Sequence, residues 1–352
     1  MAEAEAIADR TEAAAPVLEL QDVHVEFDTR AGVAHVLDGI GFALAPGETL
    51  GIVGESGCGK SMTALAIMGL VPSPPGRVAG GRILLRGEDL LAASPRRLRE
   101  VRGNEISMIF QEPMTSLNPV FTIGDQIAET VRVHQGLDRR GARARAVEML
   151  QAVGMPAAEA RAGEYPHQLS GGMRQRVMIA MALACQPSVL IADEPTTALD
   201  VTVQAQIFDL LKDLQDRTGT AIIMITHDMG AIAEMADRVV VMYAGRQAEE
   251  GPVAEILERP RHPYTQGLIA CVPHLTDDPP PERLPLTEIP GVVPPLTSLG
   301  RGCAFAARCP QVFDRCRAEA PPAIAISPGH RAACWLNADG AATRAAAEEA
   351  GR

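Results

Sequence analysis

Residues 54–61 read Gly54-Glu55-Ser56-Gly57-Cys58-Gly59-Lys60-Ser61. They match the pattern GxxxxGKS, in which glycines let backbone N–H groups curl around phosphate oxygens. Such a loop works only between a strand and a helix, because the helix N-terminus adds its dipole to the anion site. Both neighbours are legible. An apolar run at 50–53 follows the Pro46-Gly47 turn, and residues 60–70 carry Leu65, Ile67, Met68 and Leu70 at helical spacing. Ser56, Gly57, Cys58, Gly59, Lys60, Ser61 and Met62 are therefore the expected nucleotide-binding residues. Lys60 neutralises the outer phosphates and the Ser61 hydroxyl ligates Mg²⁺. Cys58 occupies a position where the motif accepts any side chain.

Outward from this loop, alternating segments at 17–27 and 33–44 predict strands, with further strands at 82–85, 105–110, 189–192, 221–226 and 238–243. Helical patterns between several of them predict an α/β fold with a parallel core. From 112 to 168 the strand signal fades and amphipathic stretches such as 142–153 take over, so an inserted helical subdomain is expected. The dense prolines of 273–298 read as a linker, four cysteines follow within 299–336, and 337–352 reads as a frayed tail. Residues 1–16 read as a disordered leader without a secretory h-region. The main domain is expected over 17–272.

A second candidate site lies at 189–194, where an apolar strand ends in Asp193-Glu194. Carboxylates at the C-terminal end of a strand line α/β binding crevices. Asp193 suits Mg²⁺, through its water shell, and Glu194 suits the polarising of a water for in-line attack on a γ-phosphate. Without the glycine-rich loop, the same string reads as a solvated acidic pair at a strand end.

Composition narrows the class. The formal net charge of -12 opposes a phosphate-backbone partner, which requires clustered Lys and Arg. The longest apolar stretches, 177–185 and 221–225, fall short of the ~20 residues of a membrane-spanning helix. Seven cysteines in a chain without a secretory signal favour metal ligands or buried thiols over disulfides.

Residues 169–173, Leu169-Ser170-Gly171-Gly172-Met173, taken with the two motifs above, resemble the signature of ABC-transporter nucleotide-binding domains. Gln111 stands at the Q-loop position, Ala198-Leu199-Asp200 at the D-loop, and His227 at the switch histidine. The resemblance implies a P-loop NTPase core of ABC type with an N-terminal antiparallel β subdomain, an inserted helical subdomain and a small cysteine-bearing extension. It also implies a head-to-tail dimer in which Ser170, Gly171 and Gly172 of one subunit meet the γ-phosphate held by the other. Glu194 and His227 take the catalytic roles, Gln111 links Mg²⁺ to the helical subdomain, and Asp200 joins the nucleotide contacts. Met173 replaces the family's usual glutamine, removing a side-chain amide there. Phe27 sits where an aromatic often stacks on adenine, though it reads equally as a strand-facing core residue; Arg161 and Gln168 are further candidate contacts. Met178, Met181 and Leu183 read as helical core.

Arg259-Pro260-Arg261-His262-Pro263-Tyr264-Thr265 resembles the His-Pro-Tyr element of oligopeptide and dipeptide importer ATPases, and residues 302–335 resemble the same subfamily's cysteine-bearing tail. Cys303, Cys309, Cys316 and Cys334 lack the close CxxC spacing of structural zinc sites. The resemblance implies a [4Fe-4S] cluster on them, with zinc or free thiols as the alternatives and a structural clip or a redox sensor as its role. It further implies two transmembrane permease subunits, a second ATPase subunit (paralogous or identical), and cargo from an extracytoplasmic binding protein. The expected location is the cytoplasmic face of the inner membrane. A di- or oligopeptide is the expected cargo, with nickel, glutathione or another small solute as alternatives. A soluble ABC ATPase acting on nucleic acid is opposed by the acidic charge.

Overall fold

A computed structural model describes residues 15–111, 116–197, 199–272 and 288–338. The expected leader and frayed tail fall mostly outside these residues, as does most of the proline-rich segment. The chain opens with β1 (Leu18–Thr29), β2 (Gly32–Leu44) and β3 (Thr49–Val53), followed by α1 (Lys60–Ile67). Next come β4 (Gly76–Leu85), β5 (Glu88–Asp89), α2 (Pro95–Val101) and β6 (Ile106–Ile109). Three helices then run consecutively, α3 (Ile123–Gln135), α4 (Arg139–Ala152) and α5 (Ala158–Arg161), before α6 (Gly171–Leu183) and β7 (Val189–Asp193). The core closes with α7 (Val201–Thr218), β8 (Ala221–Ile225), α8 (Met229–Met235), β9 (Arg238–Tyr243) and β10 (Arg246–Pro252). Beyond it lie α9 (Val253–Glu258), α10 (Pro263–Ala270), α11 (Asp314–Ala318), β11 (Ile324–Ser327) and β12 (His330–Ala332).

Two sheets form. The first runs β2-β1-β4-β5 and is antiparallel; the second runs β11-β12-β10-β9-β3-β8-β7-β6. Its β9, β3, β8, β7 and β6 are parallel, and β10 and β12 are added antiparallel at one end. Every residue of β3, β7 and β8 is buried, as strands covered on both faces must be, which is why they read as unbroken apolar runs. Strand β4 is longer than the predicted 82–85. Its first half, Gly-Arg-Val-Ala-Gly-Gly, is too glycine-rich to show a period, and pairing with β1 makes it a strand.

The ABC-cassette fold expected from the resemblance is present, with its antiparallel β sheet beside a mixed sheet flanked by helices. Its apolar interior divides into three clusters. One lies between the two sheets and around α1, one unites α3, α4, α6 and α7, and the third joins α8, β9 and α10 to Phe305 of the extension. Strand order matters most for function. β3, β8 and β7 are consecutive, so the segments leaving their C-terminal ends must emerge side by side.

Candidate nucleotide site

The loop after β3 is shaped by positions where a side chain is barred. Gly54 has φ 151°, and a Cβ there would lie 2.2 Å from the Met242 carbonyl oxygen. Gly59, at φ 107°, caps α1 beneath the β2 backbone. Lys60 is buried and donates to the carbonyls of Gly54 (2.7 Å) and Glu55 (3.2 Å), folding its ammonium into the concavity of the loop. The Cys58 carbonyl accepts from Gly245 N at 2.9 Å, which ties the loop to the β9–β10 turn. The Cys58 thiol is pushed up by burial and stays protonated within the core.

Asp193 and Glu194 leave β7 beside this loop. Asp193 is 4% exposed, and its Oδ1 is buried without a hydrogen-bond partner. Burial raises its pKa, and the nearby Ser61 hydroxyl and Lys60 partly offset that. A buried carboxylate oxygen without a donor, close to a hydroxyl, fits the oxygen-rich, partly hydrated coordination of Mg²⁺. Ser61 and Asp193 would hold the ion, which would supply charge neutralisation of the phosphates.

Glu194 adopts a left-handed φ of 48°, a strained conformation for a non-glycine residue and one that clusters at functional sites. Its carboxylate is held from three directions, by Gln111 Nε2 at 2.9 Å, Thr197 Oγ1 at 2.8 Å and His227 Nδ1 at 3.1 Å. Burial pushes its pKa up, but the bonds from Thr197 and His227 outweigh that and leave it below the ordinary range. The backbone is stitched across the strands as well, with Glu194 N on Ile225 O and Thr226 N on Ile52 O.

Of the predicted residues, the structure gathers Lys60, Ser61, Asp193, Glu194, Gln111 and His227. Gln111 bonds Glu194 here, so its amide nitrogen serves the carboxylate. Ser170 caps α6 and accepts from Met173 N, and Gly172 packs against Val203 at the start of α7. Asp200 caps α7. Arg161 bonds Pro156 O and Glu164, and Gln168 accepts from Tyr165 N, so both brace their own turns. Phe27 lies against Gly76, partly buried at the edge of the core. Met62 likewise packs on that core.

The structure gives no support for a metal centre at the four tail cysteines. Among the described residues no group of three or more His, Cys, Asp or Glu side chains is arranged to hold a metal ion. Cys303, Cys309, Cys316 and Cys334 are free thiols lining one small cavity with His262 and Trp335. Burial raises the pKa of Cys303 and Cys309 and takes Cys334 up to about 11. Cys303 and Cys309 pack against the cluster that contains Phe305, and Cys316 and Cys334 are buried.

Contacts that the sequence did not signal reach the loop from residues beyond β10. Arg308 makes a two-pronged ion pair with Glu55, at 2.6 and 3.0 Å, and the Tyr264 hydroxyl accepts from Glu55 N at 2.8 Å. His262 caps α10 through Nδ1 and is buried, its pKa lowered by burial to about 4. Only long-range packing brings Arg308 and Tyr264 to residue 55, so no local pattern could reveal those contacts.

A glycine-rich loop on β3, a carboxylate pair on β7 and a histidine after β8, all on one sheet edge, define an ATP-binding cassette of the transporter type. Comparison with known proteins agrees: the family model described as ABC transporter matches residues 37–197, and that described as oligopeptide/dipeptide transporter, C-terminal region, matches residues 248–316. The chain is 52% identical over 319 residues to the probable peptide ABC transporter ATP-binding protein y4tR of Sinorhizobium fredii, covering 91% of this chain and 94% of that protein. It is 49% identical over 320 residues to the dipeptide transport ATP-binding protein DppD of Bacillus subtilis, again covering 91% and 94%. Among solved structures it is similar to the post-hydrolysis dimer of the ATP-binding cassette MJ0796 bound to ADP and Pi, with TM-score 0.61, 27% identity, and 67% and 98% of the two chains covered. The chain belongs to the family of ATP-binding subunits of oligopeptide and dipeptide ABC transporters, ATPases that power transport. Among the described residues, no helix is long and apolar enough to cross a membrane.

Proposed function

We propose that this chain energises the import of di- or oligopeptides, hydrolysing Mg-ATP at the interface of two cassettes that face each other head to tail. The observation that carries the reading is the Glu194 carboxylate, kept ionised and held by Gln111, Thr197 and His227 beside the Lys60 loop. Lys60 leaves the Gly54 and Glu55 carbonyls for the outer phosphates when ATP enters. Glu194 orients the attacking water and accepts its proton, and His227 keeps the carboxylate aimed while sensing the γ-phosphate. Ser61 and Asp193 would hold Mg²⁺, with Gln111 linking it to the helical subdomain, and the ion would neutralise phosphate charge. The α6 N-terminus, with Ser170, Gly171 and Gly172, meets the partner cassette's nucleotide, and Asp200 lies at the same junction. The dimeric, ADP- and Pi-bound form of a 27% identical cassette supports this arrangement.

Two permease subunits receive the stroke. A groove of about 500 Å³ beside Gln111, lined by Phe110, Phe121 and Val133, supports their docking between the parallel core and the helical subdomain at about 112–168. The subunit therefore sits on the cytoplasmic face of the inner membrane, with cargo delivered by an extracytoplasmic binding protein and a second cassette, paralogous or identical, beside it. The domain reading is a cassette over 17–272, a linker over 273–298 and a four-cysteine unit over 299–336. The four free thiols that line one cavity would hold a [4Fe-4S] cluster in that unit, and they would have to be deprotonated to ligate iron.

The test is Mg-ATPase and uptake of a labelled dipeptide in proteoliposomes holding the full importer. Peptide-stimulated hydrolysis and uptake, both lost in Glu194→Gln with ATP still bound, is the expected result. Stimulation by nickel or glutathione but not by peptide would reassign the cargo. Unchanged hydrolysis in Glu194→Gln would remove this chain from the chemistry.

A further inference from the structure

The phosphate loop carries a carboxylate, Glu55, at its second position, immediately beside the site read above as taking ATP. An anion there opposes a highly charged nucleotide unless something cancels it. Arg308 does so in a geometry that leaves little freedom. Its side chain is 4% exposed, and both terminal nitrogens lie on the two Glu55 oxygens. Its remaining donors are spent on the carbonyls of Pro290 (2.9 Å) and Ile289 (3.0 Å), and one nitrogen also reaches the Tyr243 hydroxyl at 3.4 Å. The guanidinium carbon lies 5.8 Å from the Tyr243 ring centre and 5.9 Å from that of Phe305. Such a fork is rigid, always charged and matched to a carboxylate.

The same residue is gripped through its backbone. Tyr264, fully buried on α10, accepts the Glu55 N–H, while Lys60 takes the Glu55 carbonyl from the other side. His262 and Pro263 set the start of that helix, with His262 capping it and Pro263 at its first turn. Tyr243, Tyr264, Phe305 and His262 pack ring against ring as the rigid support of both Arg308 and Tyr264.

We propose that Arg308 and Tyr264 are positioning residues of the nucleotide site: the C-terminal extension neutralises and orients Glu55, and so sets the affinity of the phosphate loop for ATP. This rests on the reading of that loop as the ATP site. The extension is then part of the catalytic apparatus rather than an appendage, and any loosening of residues 305–309 is felt at the phosphates. Its signature is electrostatic. Loss of Arg308 harms binding because it uncovers the Glu55 charge, so removing that charge must restore binding.

Equilibrium titration of the full chain with a fluorescent ATP analogue and Mg²⁺, alongside thermal melting and steady-state ATPase in the assembled importer, tests this. Arg308→Met is expected to weaken binding about tenfold and to raise KM with kcat nearly unchanged. The double variant Arg308→Met with Glu55→Gln is expected to return to within about threefold of wild type. Affinity unchanged in Arg308→Met, or a double variant no better than the single one, overturns the proposal, as does a lowered melting temperature with intact binding. Should Arg308→Met not fold, Tyr264→Phe removes only the acceptor of the Glu55 N–H. A several-fold weaker affinity supports the clamp, and wild-type affinity overturns it. A wild-type chain that binds no nucleotide overturns the ATP-site reading itself, and the clamp with it.

Discussion

On its sheet side, the phosphate loop is held by backbone: Gly54 closes against the Met242 carbonyl, the Cys58 carbonyl meets Gly245 N, and α1 begins at Gly59. On its extension side it is held by side chains, those of Tyr264 and Arg308, 209 and 253 residues further along the chain. Backbone contacts depend on where strands and glycines fall and tolerate most substitutions around them. Side-chain contacts depend on two particular groups and can be cut by one mutation. One loop thus combines an anchor written into its own motif with another supplied by side chains from beyond β10.

The comparison breaks most visibly if the chemistry and the anchors are separated. Glu194→Gln is expected to lower ATP turnover about 10³-fold while leaving nucleotide affinity and melting temperature near wild type, as measured by phosphate release and calorimetry. A parallel fall in stability would mean that the strained φ at this position depends on the carboxylate's three partners.

The extension side is next. His330 of β12 has both ring nitrogens 2.8 Å from carboxylates, Glu249 of β10 and Glu255 of α9, and is itself almost fully buried. His330→Ala should cost about 3–4 kcal/mol and free β12 from β10, seen as rapid amide exchange in 324–332 while β3 and β7 stay protected. Exchange that rises equally in β3 would show the two regions to be one cooperative unit.

Acid should act in the same direction. His262 has a folded-state pKa of about 4 against an ordinary value near 6.5, because burial disfavours its charged form. Its depressed pKa means that the unfolded chain takes up a proton before the folded one. Stability is therefore complete above about pH 6.5 and declines as pH falls toward 4, by roughly 2–3 kcal/mol. Glu255, lowered by its bond to His330, adds to the loss at still lower pH. Denaturant melts at pH 7.5 and 5 should show this, and His262→Gln should flatten the dependence. The smallest effect is the control: Arg96 and Glu100 pair on an exposed helix face, so Arg96→Ala should leave melting and affinity within error.

Much of this site is readable along the chain because its parts are local. Lys60 follows its glycines within six residues, and Asp193-Glu194 ends an apolar run, so strand, loop and helix are each announced by neighbours. Strand β4 was half hidden by its glycines, and β10, β11 and β12 were not signalled at all, since short or charge-bearing strands acquire their pattern from pairing partners. The side chains of Arg161 and Gln168, candidates by their position near the signature, bond within their own turns, which sequence order does not reveal.

The sequence by itself determined the class of fold, a glycine-rich loop between a strand and a helix, and a carboxylate pair at a strand end, because each is a pattern of residue types at short, fixed spacing with a backbone consequence. Tertiary structure alone decided that β3, β8 and β7 lie side by side, that Gln111 and His227 converge on Glu194, and that Arg308 reaches Glu55. Those contacts join residues far apart in the chain, and their geometry is fixed by strand order and packing, which no local propensity encodes.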